Sequence, residues 1–156
     1  MDIDVLARIA LWQNGFDYAH GTGHGVGSYL AVHEGPQAIS RRSMQEFLPG
    51  MIVSNEPGYY RTGKFGIRLE NLVIVREAMD LIDGDQPMLG FETITLAPFD
   101  HRLIEPTIMT DDELHWLNAY HGWVRQQIEP LVDEKVIKWL HQATKPFSRE
   151  LPAASA

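Results

Sequence analysis

The 156-residue sequence lacks cysteine altogether, which excludes disulfide bonds, thiolate metal sites and cysteine nucleophiles. Basic residues are also scarce, since 13 lysines and arginines stand against 21 aspartates and glutamates and give a net charge of −8. Such a field repels phosphate, and no hydrophobic run approaches the ~20 residues that a membrane-spanning helix needs. The absence of cysteine suits a reducing compartment such as the cytoplasm. We expect no nucleic-acid or membrane partner, and we expect nitrogen and oxygen ligands to hold any metal ion.

What the sequence does contain is a globular composition, 44% hydrophobic and 22% charged, in a chain long enough to bury a core. The spacing of apolar and turn residues predicts strands over residues 28–33, 51–55, 65–76 and 91–96. Helices are predicted over residues 2–13 and 111–128, followed by one from Pro130 that ends before Pro146. This order predicts an α+β protein with a mostly antiparallel sheet and C-terminal helices.

The glycine-rich segment HGTGHGVG, residues 20–27, places His20 and His24 on a backbone that other segments can approach closely. Its glycine spacing does not match the dinucleotide-binding fingerprint, and no phosphate-binding loop follows it. A third histidine, His33, comes soon after. These are either ordinary loop histidines or imidazoles presented to a ligand, and the flanking glycines favour the second interpretation.

Two glutamates occupy positions that are unusual for a carboxylate. Glu56 ends a predicted strand just before Pro57, and Glu70 lies within the predicted strand 65–76 among aliphatic residues. A buried carboxylate needs a partner or a metal ion. One explanation for Glu70 is an ion pair with Arg68 on the same strand face. The other is an N/O ligand set of one histidine and two glutamates for Mn²⁺, Zn²⁺, Co²⁺ or Fe²⁺.

Four motifs follow one another along the chain: HGTGHGVG at 20–27, VHEGP at 32–36, NEPGYY at 55–60 and FGIRLEN at 65–71. Together they resemble Xaa-Pro aminopeptidase of the cytosolic type, also called aminopeptidase P. Four downstream motifs resemble the C-terminal extension of that branch: FET at 91–93, TLAP at 95–98, WLNAYH at 116–121 and WL at 139–140. This extension separates the chain from methionine aminopeptidase, prolidase and creatinase, which share only the catalytic fold.

The resemblance implies the C-terminal half of a pita-bread catalytic domain, with an antiparallel sheet, in residues 1–98. Residues 99–145 are then the C-terminal helical extension, and residues 146–156 are a tail. The family's active site has five protein ligands, two of which are aspartates upstream of the helix that opens this chain. We therefore expect the chain to be a piece of a longer enzyme that holds three of the five ligands.

The same resemblance implies roles for individual residues. His24, Glu56 and Glu70 are expected to be metal ligands, with Glu56 also the general base and Glu70 bridging two ions. His20 and His33 are expected to hold the scissile carbonyl and, with Arg68, to line the pocket for proline. We expect two divalent ions in the longer enzyme, manganese before zinc or cobalt, and one or none in this chain.

The implied activity is release of the N-terminal residue from peptides with proline in the second position. We expect the longer enzyme to be a homodimer and this chain alone to be inactive. A non-catalytic pita-bread protein that binds partners is the alternative, although the intact ligand residues count against it. Apolar residues of the two C-terminal helices either cover the sheet or mediate self-association: Trp116, Leu117, Tyr120, Trp123, Trp139 and Leu140.

Overall fold

The computed structural model describes residues 2–29 and 31–149, which divide into two compact units, the first ending at Thr95 and the second beginning at Leu96. The described residues of the first unit form helix α1 (Asp2–Trp12) and seven strands. These are β1 (Gly23–His24), β2 (Ala38–Ile39), β3 (Ile52–Asn55), β4 (Gly58–Arg61), β5 (Phe65–Arg68), β6 (Asn71–Met79) and β7 (Met88–Thr93). Those of the second unit form α2 (Asp111–Ile128), α3 (Glu134–Ala143) and three 3-10 turns: His101–Leu103, Pro106–Ile108 and Glu129–Leu131.

Helix α1 confirms the helical spacing of the first residues, and it ends near Gly15, which adopts a positive φ of 75°. Its buried face differs from the apolar stripe that the spacing indicates. Asp4 and Arg8 are buried, whereas Leu6 and Ile9 are exposed. The helix is therefore held in the first unit largely by charged side chains.

Within the described residues, all strand pairs are antiparallel, which agrees with the mostly antiparallel sheet that the sequence predicts. Strands β3, β6 and β7 form a three-stranded sheet, while β1 pairs with β2 and β4 pairs with β5. Val53 and Val73 lie opposite each other in the sheet and are buried with Ile39. Ile3 and Phe47 pack against this cluster, which forms the core of the first unit. Strand β7 lies three residues earlier than the predicted strand over 91–96.

The strand predicted over residues 28–33 is wrong for the described part of that segment. Instead of pairing, the chain turns, because the Ala31 amide donates to the Ser28 carbonyl and the Gly27 amide donates to the Ala31 carbonyl. The described apolar residues of this segment do not form a strand. His33 therefore sits in a loop between β1 and β2.

The single strand predicted over residues 65–76 is also wrong, since the chain changes partner in the middle. β5 pairs with β4, β6 pairs with β3, and Leu69 and Glu70 lie between them. The Leu69 amide donates to the Pro57 carbonyl, which holds the junction in place. Glu70 is exposed rather than buried within a strand. The argument for Glu70 from burial among aliphatic residues therefore fails.

In the second unit, α2 starts with a capping box. The Glu113 amide donates to Thr110 Oγ1 at 3.2 Å, and the Thr110 amide donates to the Glu113 carboxylate at 2.7 Å. Pro130 lies in a 3-10 turn rather than in a helix. Helix α3 begins later, where the Asp133 carboxylate accepts hydrogen bonds from two backbone amides.

The core of the second unit is a separate cluster made of Tyr120, Val124 and Leu140, with Leu96, Phe99 and Ile128 packed against it. The Tyr120 hydroxyl also donates to the Ala97 carbonyl at 2.7 Å. Across the described residues, no helix combines the length and apolarity that would let it cross a membrane.

Candidate active site

Glu56 is the centre of the site. It follows β3, directly before Pro57, and only 7% of it is exposed. Its Oε1 accepts a hydrogen bond from Ser54 Oγ at 3.0 Å, and its Oε2 accepts one from Arg68 Nη1 at 3.1 Å. These contacts satisfy a buried carboxylate that would otherwise be costly.

His24 lies beside Glu56, on β1, with its Nε2 3.1 Å from Glu56 Oε1. Its backbone amide donates to Ser54 Oγ at 3.0 Å, so the same hydroxyl contacts both residues. The ring Nδ1 is 3.0 Å from the Gly25 carbonyl, which can only accept, so the proton is on Nδ1. Nε2 then faces the carboxylate, and a proton or a cation is needed between these two electron-rich atoms.

His20 is linked to Glu56 through two other side chains. Its Nδ1 donates to the Gly21 carbonyl at 2.7 Å, so its Nε2 accepts from the Tyr60 hydroxyl at 2.7 Å. The same hydroxyl accepts from Arg68 Nε at 3.2 Å. This hydrogen bond and the charges of the nearby glutamates raise the pKa of Arg68, which stays protonated. A continuous chain therefore runs from His20 to Glu56.

His33 joins the site from the loop after β1. Its ring lies 4.1 Å from the ring of His24, measured between centroids, and its side chain is exposed. The structure thus brings His20, His24, His33, Glu56 and Arg68 into one connected cluster. An exposed imidazole beside the partly buried His24 is suited to contact with a substrate.

Glu70 is the site residue that the structure does not bring into this cluster by a direct contact. It is exposed at the junction of β5 and β6, where its charge acts on Arg68. Within residues 2–29 and 31–149, no group of three or more histidine and carboxylate side chains is arranged to hold a metal ion. The donor chemistry of His24 and Glu56 nevertheless fits a divalent ion, because an imidazole nitrogen on β1 and a carboxylate oxygen just after β3 converge.

Two residues of the network, Ser54 and Tyr60, were not expected from the sequence. Ser54 is two positions before Glu56, so the period of a strand places both side chains on one face. Tyr60 lies within the NEPGYY motif, but its partner His20 is forty residues away in the chain. Strand period could have identified Ser54, whereas the contact of Tyr60 depends on the tertiary fold.

Comparison with known proteins now places this geometry in a family. A family model described as "Metallopeptidase family M24" matches residues 1–77, and one described as "C-terminal region of peptidase_M24" matches residues 87–147. The chain belongs to metallopeptidase family M24. Within that family it is similar to Xaa-Pro aminopeptidases over nearly its whole length, and the similarity fits their C-terminal part.

Three of these relatives show the extent of the similarity. Aminopeptidase P1 of Lotus japonicus is 50% identical over 147 residues, 92% of this chain and 22% of its own length. A probable Xaa-Pro aminopeptidase P of Aspergillus flavus is 46% identical over 153 residues, 94% of this chain and 23% of its own. The X-prolyl aminopeptidase of Caenorhabditis elegans is described as a cytosolic enzyme with a di-nuclear active site. Its structure superposes with a TM-score of 0.85 at 36% identity, and the match covers 94% of this chain and 24% of the C. elegans chain.

The chain therefore spans less than a quarter of the length of these relatives. Its fold is that of the pita-bread aminopeptidases, which confirms the α+β expectation with antiparallel sheets and helices. A dipeptidase, PepE of Mycobacterium ulcerans, matches a smaller share, 62% of this chain, with a TM-score of 0.50 at 33% identity. The likeness to the C. elegans enzyme extends over more of the chain.

Proposed function

We propose that this chain forms part of the active site of a metal-dependent Xaa-Pro aminopeptidase, a hydrolase that releases the N-terminal residue from peptides with proline second. The observation that carries the proposal is the contact between His24 Nε2 and the buried Glu56 carboxylate. A buried carboxylate facing an imidazole nitrogen supplies the donor pair of an N/O metal centre. Membership in family M24 supports the same chemistry.

In this proposal, His24, Glu56 and Glu70 would hold divalent metal, with manganese before zinc or cobalt. Two ions are proposed for the longer enzyme, and one or none for this chain alone. When bound, the metal lowers the pKa of water and stabilises negative charge on the carbonyl oxygen of the substrate. Glu70 is exposed, and its charge acts on Arg68, which leaves its carboxylate accessible as a ligand.

Side chains of this chain carry out the proton transfer and bind the substrate. The Glu56 carboxylate accepts a proton from the attacking water and passes it to the proline nitrogen of the leaving peptide. Such general acid–base catalysis contributes about 10² to 10⁴ in rate. Because proline has no amide hydrogen and a fixed φ, its recognition depends on shape. His20 and His33 hold the scissile carbonyl, and Arg68 borders the proline pocket beside them.

Further proposals concern the protein as a whole. We propose a cytosolic homodimer with catalytic residues 1–98, a helical extension over 99–145 and a tail over 146–156. The C. elegans relative is described as cytosolic, which supports the location. A non-catalytic binding protein is the competing function, and it predicts binding of partners without turnover.

The decisive experiment replaces Glu56 by Gln in the full-length enzyme and measures cleavage of an Xaa-Pro peptide. We expect loss of activity with the fold intact, because the change is nearly isosteric but removes the charge and the base. Glu77→Gln, at an exposed position on β6, is the matched control and should keep full activity. Turnover of Glu56→Gln within about tenfold of wild type would reject the role of this residue.

A second measurement addresses residues 1 to 156 alone. The purified chain is mixed with excess Mn²⁺, and bound metal and peptide cleavage are measured together. We expect weak or single-ion binding and no turnover, because a two-metal site needs more carboxylate charge than two glutamates supply. Two tightly bound ions with clear turnover would contradict this expectation.

A further inference from the structure

Helix α1 buries an arginine, Arg8, that donates three of its five hydrogen bonds to the segment that carries His20. Arg8 is 3% exposed, and its five N–H groups are all used. Nε donates to Asp4 Oδ2 at 2.8 Å and Nη2 to Asp4 Oδ1 at 3.2 Å. The other three bonds go to Asp17 Oδ1 at 2.7 Å, the Tyr18 carbonyl at 2.8 Å and the His20 carbonyl at 2.7 Å.

Asp4, the partner of Arg8 on α1, is fully buried and also contacts Thr22. Its Oδ1 accepts from the Thr22 hydroxyl at 2.6 Å and from the Thr22 amide at 3.3 Å. The Thr22 carbonyl in turn accepts the Glu56 amide at 2.7 Å. The pair on α1 is therefore two hydrogen bonds away from the backbone of the proposed base.

Both members of the pair are charged. Burial acts to raise the pKa of Asp4, but the hydrogen bonds from Arg8 and Thr22 lower it below its ordinary value. Burial acts in the opposite sense on Arg8, and its bonds to Asp4 and Asp17 raise its pKa. Lysine could not replace this arginine, because its three donors radiate from one nitrogen and cannot reach acceptors on four residues.

We propose that Asp4 and Arg8 are positioning residues of the active site, which fix the His20 imidazole and the Glu56 backbone through the segment 17–22. The inference rests on the proposed aminopeptidase function only for its effect on catalysis. Its structural part stands on the contacts of residues that neither bind metal nor touch substrate. A pair that served stability alone would leave the geometry of the folded site unchanged when replaced.

The structural part is tested on residues 1 to 156 by NMR, with Arg8→Lys and Asp4→Asn compared with the exposed control Arg42→Lys. In the wild type we expect the ring nitrogens of His20 to show the tautomer with hydrogen on Nδ1. In both variants, well below their melting temperatures, we expect this signature to shift toward that of free histidine. The Glu56 amide should exchange with solvent about tenfold faster or more, relative to the Val75 amide of the same unit.

The catalytic part is tested in the full-length enzyme. Arg8→Lys should lower kcat about 10- to 100-fold, as is usual when support for active-site residues is removed, while KM changes less. If the wild type does not cleave Xaa-Pro peptides, the proposed function fails, yet the NMR result still decides the positioning role. Unchanged His20 signals and Glu56 exchange in Arg8→Lys and Asp4→Asn would overturn the positioning role.

A variant that does not fold would be uninformative by itself, so a milder one is included. Asp17→Asn leaves the buried pair in place but weakens one bond that Arg8 makes to the segment, and the Asp17 side chain is 42% exposed. We expect a smaller shift of the same His20 signals. If Arg8→Lys is unfolded and Asp17→Asn shows the wild-type signature, the proposal is wrong.

Discussion

Gly23 shows why the histidine-bearing segment is rich in glycine. A Cβ at this position would collide with the Ser54 carbonyl, and one at Gly25 would collide with the Glu34 carbonyl. The close backbone approach predicted from the glycines is therefore confirmed. It brings His24 within reach of Glu56, because any larger residue would push β1 away from β3.

Replacing Gly23 by Ala should destabilise the first unit by about 2 kcal/mol or more, since the new methyl group meets rigid backbone rather than a flexible side chain. Urea denaturation of both proteins measures the difference in the free energy of unfolding. Gly90→Ala, at a strand position with open space around it, is the control and should change stability little. An equal effect of the two substitutions would show that the close approach is not the cause.

At the scale of elements, the junction between β5 and β6 decides how the site is assembled. Arg68 is the last residue of β5, where pairing with β4 places it near both Tyr60 and Glu56. After Leu69 and Glu70, the chain continues as β6, which pairs with β3, so Glu70 lies in neither strand. A continuous strand would have kept Arg68 and Glu70 on one face, whereas the change of partner separates their surroundings.

The capping box of α2 permits a prediction for a single element. Thr110→Ala removes the oxygen that accepts the Glu113 amide, so we expect a loss of about 1 kcal/mol in the free energy of unfolding of the second unit. Chemical denaturation followed by far-UV circular dichroism measures it. Ser148→Ala, at an exposed position outside the helices, is the control. No difference between the two variants would mean that the cap contributes nothing to stability.

At the scale of the whole molecule, two histidines of the second unit have lowered pKa values and should make its stability depend on pH. His121 is fully buried, and its Nε2 accepts the Phe99 amide at 3.0 Å. Burial, with smaller contributions from His101 and Arg125, lowers the pKa of His121 to about 4. Burial and the charge of Lys145 also lower the pKa of His101. Both imidazoles are therefore neutral near pH 7.

The unfolded chain binds a proton at His121 near its ordinary pKa of 6.5, and the folded chain only near 4. Stability that is present above pH 6.5 should therefore fall as the pH decreases toward 4, by up to about 3 kcal/mol. Tryptophan fluorescence during denaturation at several pH values follows this change. His121→Gln, which keeps an acceptor but does not titrate, should flatten the pH dependence, whereas the exposed control His115→Gln should not.

Self-association is the second prediction at this scale. Of the large apolar residues on α2 and α3, Leu117, Tyr120 and Leu140 are buried, while the indoles of Trp116, Trp123 and Trp139 are 49%, 44% and 60% exposed. Because exposed indoles favour contact with another apolar surface, we expect a concentration-dependent dimer in sedimentation velocity. A strict monomer at high concentration would remove this prediction.

The sequence by itself determined the residue types of the site, the glycine positions, the antiparallel strands and the start of α2. Each of these follows from local chemistry: a cap needs four consecutive residues, and a close approach needs glycine. Only the tertiary structure decided which polar groups are buried. Asp4 and Arg8 lie on the buried face of α1, and Tyr60 joins His20 to Arg68. Glu70 is exposed because β6 takes a different partner from β5, and such pairing depends on contacts between residues far apart in the chain.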